Sequence, residues 1–272
     1  MEMESMTGLM RKWKSLGGNT ETSVRPIYDR KYEQMRVNYL NDTSGRMAEC
    51  RCDICKNKGF VYYLDDQGYI SSRVCTCMTK ISAMRRMAES GLANLLAECT
   101  MDRFLTKEPW QQDVKALAED YISDPHGWFL ASGRSGAGKT HICTAIAGEL
   151  LEKGYDVRYM LWRDESAKIK SLVTDSDGYA KMIQPLKDVA VLYIDDFLKV
   201  GGNAAPSTGD INLAFEIING RYYDPDKLTI ISTERDIYNL LQVDEAVGSR
   251  IYERSKCHNC VFRGVNWRIK ND

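Results

Sequence analysis

Apolar residues fall into short uninterrupted runs in the second half of this chain and into helically spaced positions elsewhere. Trp128-Phe129-Leu130-Ala131-Ser132 and Val189-Ala190-Val191-Leu192-Tyr193-Ile194 show no polar alternation, so each predicts a strand covered on both faces of a sheet. Tyr155 to Leu161 and Leu228 to Ser232 predict further strands. Between the first two, His141 to Lys153 places Ile142, Ala145, Ile146 and Leu150 on one helical face. Val243 to Arg254 predicts a later helix. Strands alternating with helices predict a doubly wound α/β domain with a parallel sheet.

The earlier residues read differently. Residues 1 to about 45 are charged and mixed, with basic clusters at Arg11, Lys12 and Lys14 and at Arg25, Arg30, Lys31 and Arg36. Tyr28, Tyr32, Met35 and Tyr39 recur at roughly helical spacing, which predicts a helix near 26–41 that docks either on its own protein or on a partner. Gly59 to Leu64, a turn at Asp65-Asp66-Gln67-Gly68, and Tyr69 to Val74 predict a small hairpin. Met78 to Leu96 is helical in pattern, carries Lys80, Arg85 and Arg86, and leads to a break at Pro109-Trp110. The expected organisation is a helical segment at 1–48, a metal-binding ribbon at 49–79, a helical linker at 80–110 and a nucleotide-binding domain at 111–272.

Composition narrows the function classes. With 272 residues and 43% hydrophobic content, the chain has material for a sizeable core. Its formal charge of −1 means that any nucleic-acid contact must come from local basic patches. No apolar run approaches membrane-spanning length, and Met1-Glu2-Met3-Glu4 does not open like a signal peptide. Nine cysteines without a secretory signal point to metal binding and free thiols, and the expected compartment is cytoplasmic with no membrane partner.

The candidate chemistry centres on Gly133-Arg134-Ser135-Gly136-Ala137-Gly138-Lys139-Thr140, a G-x-x-x-x-G-K-T loop between a strand and a helix. Its glycines let backbone N–H groups turn inward around phosphate, and the start of the helix at His141 adds positive potential. Lys139 reaches the β and γ phosphates, and Thr140 ligates Mg²⁺. Gly133, Ser135, Gly136, Ala137, Gly138, Lys139, Thr140 and His141 form the expected nucleotide contact set. Asp195 and Asp196 end a predicted strand, where Asp195 would hold Mg²⁺ through water and Asp196 would orient the attacking water. Paired acids at a strand end could instead cap a helix. Thr233 could present its hydroxyl to the γ-phosphate or the attacking water, as could Glu234 beside it. Arg250 and Arg254 share a helical face, either as a solvated basic face or as an arginine finger reaching a neighbouring subunit's nucleotide.

A second chemistry is carried by Cys52-Asp53-Ile54-Cys55 and Cys75-Thr76-Cys77. Two close pairs joined by a hairpin suit tetrahedral Zn²⁺, and four thiolates leave no open catalytic position. So small a ribbon cannot bury enough surface to fold alone, so metal would supply much of its stability. Cys50 is a spare that could compete with Cys52. Cys257-His258-Asn259-Cys260 invites a second metal, but lies where a last strand should begin; free thiols are the expectation.

The order of phosphate loop, IDDF, IISTER, GSRIYER and a terminal Asn266-Trp267-Arg268 resembles the DnaC/DnaI-type helicase loaders of the AAA+ superfamily, in the versions found in phages and prophages of Gram-positive bacteria. The cysteine ribbon resembles the zinc-bearing region of the DnaI branch. The likeness spans residues about 50 to 272 and implies an AAA+ P-loop core preceded by a small zinc-ribbon-like domain. It implies Walker A residues at Gly138, Lys139 and Thr140, Walker B acids at Asp195 and Asp196, sensor 1 at Thr233, an arginine finger at Arg250 and a sensor-2-like Arg268. Relatives often carry Asn at the sensor-1 position and Glu at the second acid; the shorter Asp196 leads us to expect slow hydrolysis. Such loaders lack a full helical lid, and none is expected here.

The implied function is an ATP-controlled loader using ATP, Mg²⁺ and Zn²⁺. It would bind the replicative DnaB-type hexameric helicase through its amino-terminal part, self-assemble into a ring or spiral, and help place the helicase on single-stranded DNA. Lys168, Lys170, Lys181 and Lys187 are candidates for a DNA face, or belong to a solvated surface. The Gly201-to-Thr208 segment could order on assembly or be a plain surface loop. Three alternatives remain: an IstB-type transposition ATPase with a transposase partner, a small-molecule P-loop kinase, and an adaptor for which nucleotide is only a structural ligand.

Overall fold

A computed structural model describes residues 30–47, 51–89, 93–201, 204–264 and 266. Tyr28, Cys50, Asn203, Trp267 and Arg268 lie outside the described residues. The chain divides into a unit up to Cys75 and a unit from Thr76 onward. Residues 80–110, expected as a linker, therefore belong with the second unit.

In the first unit, α1 (Arg30–Asp42) precedes an antiparallel hairpin, β1 (Phe60–Leu64) and β2 (Ile70–Val74), paired from Phe60 with Val74 to Leu64 with Ile70. Asp65 organises the turn by accepting the Tyr69 N–H on its carboxylate at 2.8 Å. The helix docks through Val37, which is buried, and through Asn41, whose amide exchanges two 2.9 Å hydrogen bonds with the Tyr62 backbone. Tyr32, Met35 and Tyr39, the positions that predicted the helix, are 58–71% exposed. A two-stranded ribbon is too narrow to cover a whole apolar stripe, so the docked face is the Val37/Asn41 face.

The second unit opens with α2 (Thr76–Glu89) and α3 (Ala93–Glu98), two helices where the pattern suggested one. Ala83 on α2 joins the main core, and Leu95 and Leu96 on α3 pack against it. Then come α4 (Pro109–Ser123), β3 (Trp128–Gly133), α5 (Lys139–Glu152), β4 (Val157–Leu161), α6 (Trp162–Ser171), α7 (Ser176–Asp188) and β5 (Val191–Asp195). They are followed by α8 (Thr208–Tyr222), β6 (Leu228–Thr233), α9 (Ile237–Val243), α10 (Glu245–Arg254) and β7 (Asn259–Phe262). Pro109 sits in the first turn of α4, where a missing N–H costs nothing, and Glu108 and Gln111 close a capping box.

The five strands β4-β5-β6-β3-β7 are all parallel in that order. Successive residues point to opposite faces, and both faces are covered. Phe129, Tyr193 and Ile230 pack with Ile142, Ile146 and Leu150 of α5 on one side. Trp128, Leu130, Ile194 and Ile231 pack with Leu213 and Ile217 of α8 and Ile251 of α10 on the other. This explains the uninterrupted apolar runs of the central strands.

One buried cation ties the second layer to the sheet. The Arg221 guanidinium, wholly inaccessible on α8, donates to the carbonyls of Leu186, Val189 and Leu228 at 2.7–2.9 Å and to Thr229 Oγ1 at 3.0 Å. Its burial pulls its pKa down to about 10, still well above neutrality. A guanidinium so placed must be satisfied by several acceptors, since an unpaired buried charge costs several kcal/mol.

Candidate functional site

The phosphate loop runs from the end of β3 to the start of α5. Gly138 takes φ +103°, a conformation that side chains resist, and hands the chain to the helix at Lys139. A Cβ on Gly133 would meet the Phe262 carbonyl at 2.5 Å, so the loop can pass β7 only as glycine. Lys139 is 5% exposed, and its ammonium donates to the Gly133 and Arg134 carbonyls at 2.7 and 2.8 Å. Burial lowers its pKa, against the opposing charges of Glu234 and Asp196.

Thr140 Oγ1 lies 3.2 Å from Asp195 Oδ1. A hydroxyl from the helix start and a carboxylate from the strand end thus converge, an all-oxygen pair suited to Mg²⁺ held partly through water. Asp195 is buried and further oriented by Tyr159 Oη at 3.3 Å and by the Ser232 hydroxyl. Burial and the Asp195 charge push the Tyr159 phenol far above its usual range, so it stays a donor. Pairing of Ile194 with Ile231 across β5 and β6 puts Ser232 beside Asp195.

Beyond Asp195 the chain is strained. Asp196 and Leu198 have φ +54° and +55°, each costing on the order of 1–2 kcal/mol for a non-glycine residue. The turn is pinned by Phe197 N–H to the Ser232 carbonyl at 2.8 Å and Asp196 N–H to Ser232 Oγ at 3.0 Å. It folds Lys199 back so that its ammonium lies 3.1 Å from Asp196 Oδ2 and 2.9 Å from Glu234 Oε1.

The other predicted residues divide. Ser135, Gly136, Gly138, Lys139, Thr140 and Asp196 line one cleft of about 230 Å³, with Lys199 at its edge. His141 lines the same cleft, while its Nε2 is 2.9 Å from the Thr100 carbonyl and its ring packs on Phe104. Ala137 is buried under the loop. The Thr233 hydroxyl is inaccessible and committed: it donates to the Phe197 carbonyl and accepts the Arg235 N–H. Glu234 beside it turns toward the loop and pairs with Ser135 and Lys199. Arg250 stacks on the Phe215 and Tyr222 rings, 5.3 Å from each centroid. Arg254 serves the amino-terminal ends of β3 and β6, donating to the Asp224 carbonyl at 3.1 Å and packing on Trp128. Lys168, Lys170 and Lys187 are paired with Glu165, Asp210 and Glu216, whereas Lys181 is exposed.

Ser232, Tyr159 and Lys199 had no signal of their own in the sequence. Each reaches the site through strand register or a turn, and only the position of Ser232 one residue before Thr233 hinted at a role.

Cys52, Cys55, Cys75 and Cys77 bring their Sγ atoms within 4.8 Å of one another. The Cys52–Cys75 separation of 3.8 Å equals the edge of a tetrahedron with Zn–S bonds of about 2.3 Å. Cys55 Sγ also accepts the Gly59 N–H at 3.3 Å, as a metal-bound thiolate does. The donor set therefore fits Zn²⁺. Cys257, His258 and Cys260 do not converge: Cys257 is exposed, His258 packs on Tyr121 and His126, and Cys260 faces the Leu130 carbonyl with its thiol pushed up to about 12 by burial.

Comparison with known proteins decides the family. The profile of the IstB-like ATP binding protein family matches residues 75–271. The chain belongs to that family. This IstB-like protein is an AAA+ ATPase, and the strand β6 inserted between the phosphate-loop strand and the acidic strand is that of the AAA+ core. It is 26% identical over 231 residues to the phage-like element PBSX protein XkdC of Bacillus subtilis, covering 81% of this chain and 85% of that one. It is 23% identical over 207 residues to the replicative helicase loader DnaC of Escherichia coli, covering 74% and 81%. A crystal structure of the DnaC helicase loader superposes with a TM-score of 0.51 at 20% identity over 61% of this chain and 97% of that one, which shows a shared fold. No helix among the described residues is long and apolar enough to cross a membrane.

Proposed function

We propose that this IstB-like ATPase is a helicase loader that binds a replicative hexameric helicase and helps place it on single-stranded DNA. The observation that carries the reading is the match to the replicative helicase loader DnaC over 74% of the chain. The site supplies the chemistry. Lys139 and the loop N–H groups hold the β and γ phosphates; Thr140 and Asp195 hold Mg²⁺, which would draw charge off the breaking bond; Asp196 orients water. Glu234, whose carboxylate faces the loop, shares with Thr233 the position expected of sensor 1. Arg250 acts on the nucleotide of a neighbouring copy in a ring or spiral, and Arg268 is the sensor-2-like arginine. The four cysteines hold a structural Zn²⁺, and the residues before the phosphate-binding domain form the helicase-binding part.

The test is capture of partners from host lysate by the tagged full chain with ATP, followed by mass spectrometry. Recovery of the replicative helicase, with hydrolysis stimulated by helicase and single-stranded DNA, is the expected outcome. Recovery of a transposase would assign the chain to transposition instead, and phosphate transfer to a small metabolite would make it a kinase.

A further inference from the structure

Lys199 stands between two carboxylates at the mouth of the nucleotide cleft. Its ammonium is 3.1 Å from Asp196 and 2.9 Å from Glu234, and the side chain lines the same cleft as Ser135, Gly138, Lys139 and Thr140. The left-handed turns at Asp196 and Leu198 put it there, and a 3.0 Å bond from the Lys199 N–H to the Asp196 carbonyl closes the loop. We propose that Lys199 reads the terminal phosphate: its ammonium passes from Asp196 and Glu234 to that phosphate and so frees Asp196 to orient the attacking water.

This rests on Asp196 having the water-orienting role assigned above. The charge balance argues for the exchange. Lys139 is held by two backbone carbonyls and meets Asp196 and Glu234 only through longer-range charge, so the ammonium in direct contact with both carboxylates is that of Lys199. A terminal phosphate offers more charge and more acceptor oxygens than either carboxylate, and a lysine ammonium on its flexible stem can change partners without moving backbone. Both partners stay ionised near neutrality. Partial burial pulls Lys199 down and Glu234 up, but their mutual hydrogen bond and charge outweigh this, leaving Lys199 above and Glu234 below the usual values. ADP ends one phosphate short, so the ion pairs would persist with ADP and Asp196 would remain engaged. Lys199 would thus distinguish the two nucleotides.

The test is equilibrium binding of a non-hydrolysable ATP analogue and of ADP, both with Mg²⁺, to the full chain. Lys199→Met is expected to weaken the analogue by about tenfold or more and to leave ADP unchanged. Glu234→Gln, which releases Lys199 from one partner, is expected to tighten the analogue. An equal loss for both nucleotides, or none, in a Lys199→Met protein with the wild-type melting temperature overturns the inference. If that variant does not fold, unchanged or weaker analogue binding by Glu234→Gln overturns it. Lys139→Ala separates the two levels: wild type that binds and Lys139→Ala that does not keep the ATPase site standing whatever Lys199 does. Wild type that binds neither nucleotide removes both readings.

Discussion

Ser232 donates its hydroxyl hydrogen to Asp195 Oδ1, so the acid at the end of β5 is aimed by a residue of β6. Ser232 Oγ in turn accepts the Asp196 N–H, and both strands are buried there. Ser232→Ala leaves that N–H and one carboxylate lone pair without a partner. The expected cost is about 1–3 kcal/mol in urea unfolding, with a fall in the rate of ATP hydrolysis. Loss of stability with normal hydrolysis would reduce Ser232 to a structural residue.

The features legible in the sequence were local ones. The phosphate loop announces itself because strand, glycines, Lys139 and helix are contiguous, and β3 and β5 because two covered faces demand unbroken apolar runs. Ser232 and Tyr159 were not legible, because each meets Asp195 only through the parallel register of different strands. Nothing local to Asn219-Gly220-Arg221-Tyr222 marks Arg221 for burial; carbonyls at the ends of α7 and β6 make the buried site for it. In α1 the aromatic periodicity found the helix but not its docked face, because the ribbon it meets is only two strands wide.

Acid should loosen the fold at His258. The imidazole is 2% exposed, and burial lowers its pKa below the ordinary value of 6.5 despite a favourable contact with Asp120. The unfolded chain therefore binds the proton more readily, and stability is lost as pH falls through 6.5 toward the folded value. Melting temperatures measured between pH 7.5 and pH 5.5, a range of about two units around the ordinary imidazole value, should fall less in His258→Gln than in wild type. Identical slopes would assign the acid sensitivity to other groups.

The cysteine cluster predicts a metal count. The purified protein should carry one Zn²⁺ per chain, and Cys55→Ser should lose it, because Cys55 is the innermost thiol and fixes the turn through Gly59. Cys50→Ser should keep the metal, since the four converging thiols already complete a tetrahedron. Chelation should expose the hairpin to protease while nucleotide binding survives. Survival of an ordered hairpin without metal would show that α1 and the ribbon suffice.

Arg250 carries the most demanding prediction. Its guanidinium is half-buried, stacked on Phe215 and Tyr222, with one N–H on the Ala246 carbonyl. Those contacts hold the side chain in place, and its planar, permanently charged group is of the kind that pairs with phosphate. Arg250→Ala should bind nucleotide normally but lose assembly-dependent hydrolysis by a factor on the order of 10³, the effect of removing an arginine finger. Loss of stacking alone could also slow a weakened protein, so the decisive measurement is a mixture. Lys139→Ala supplies Arg250 but holds no nucleotide, and Arg250→Ala holds nucleotide but supplies no arginine. If the finger acts between copies, mixing the two inactive proteins restores part of the hydrolysis. If the mixture stays inactive while both variants still assemble, Arg250 acts within its own chain.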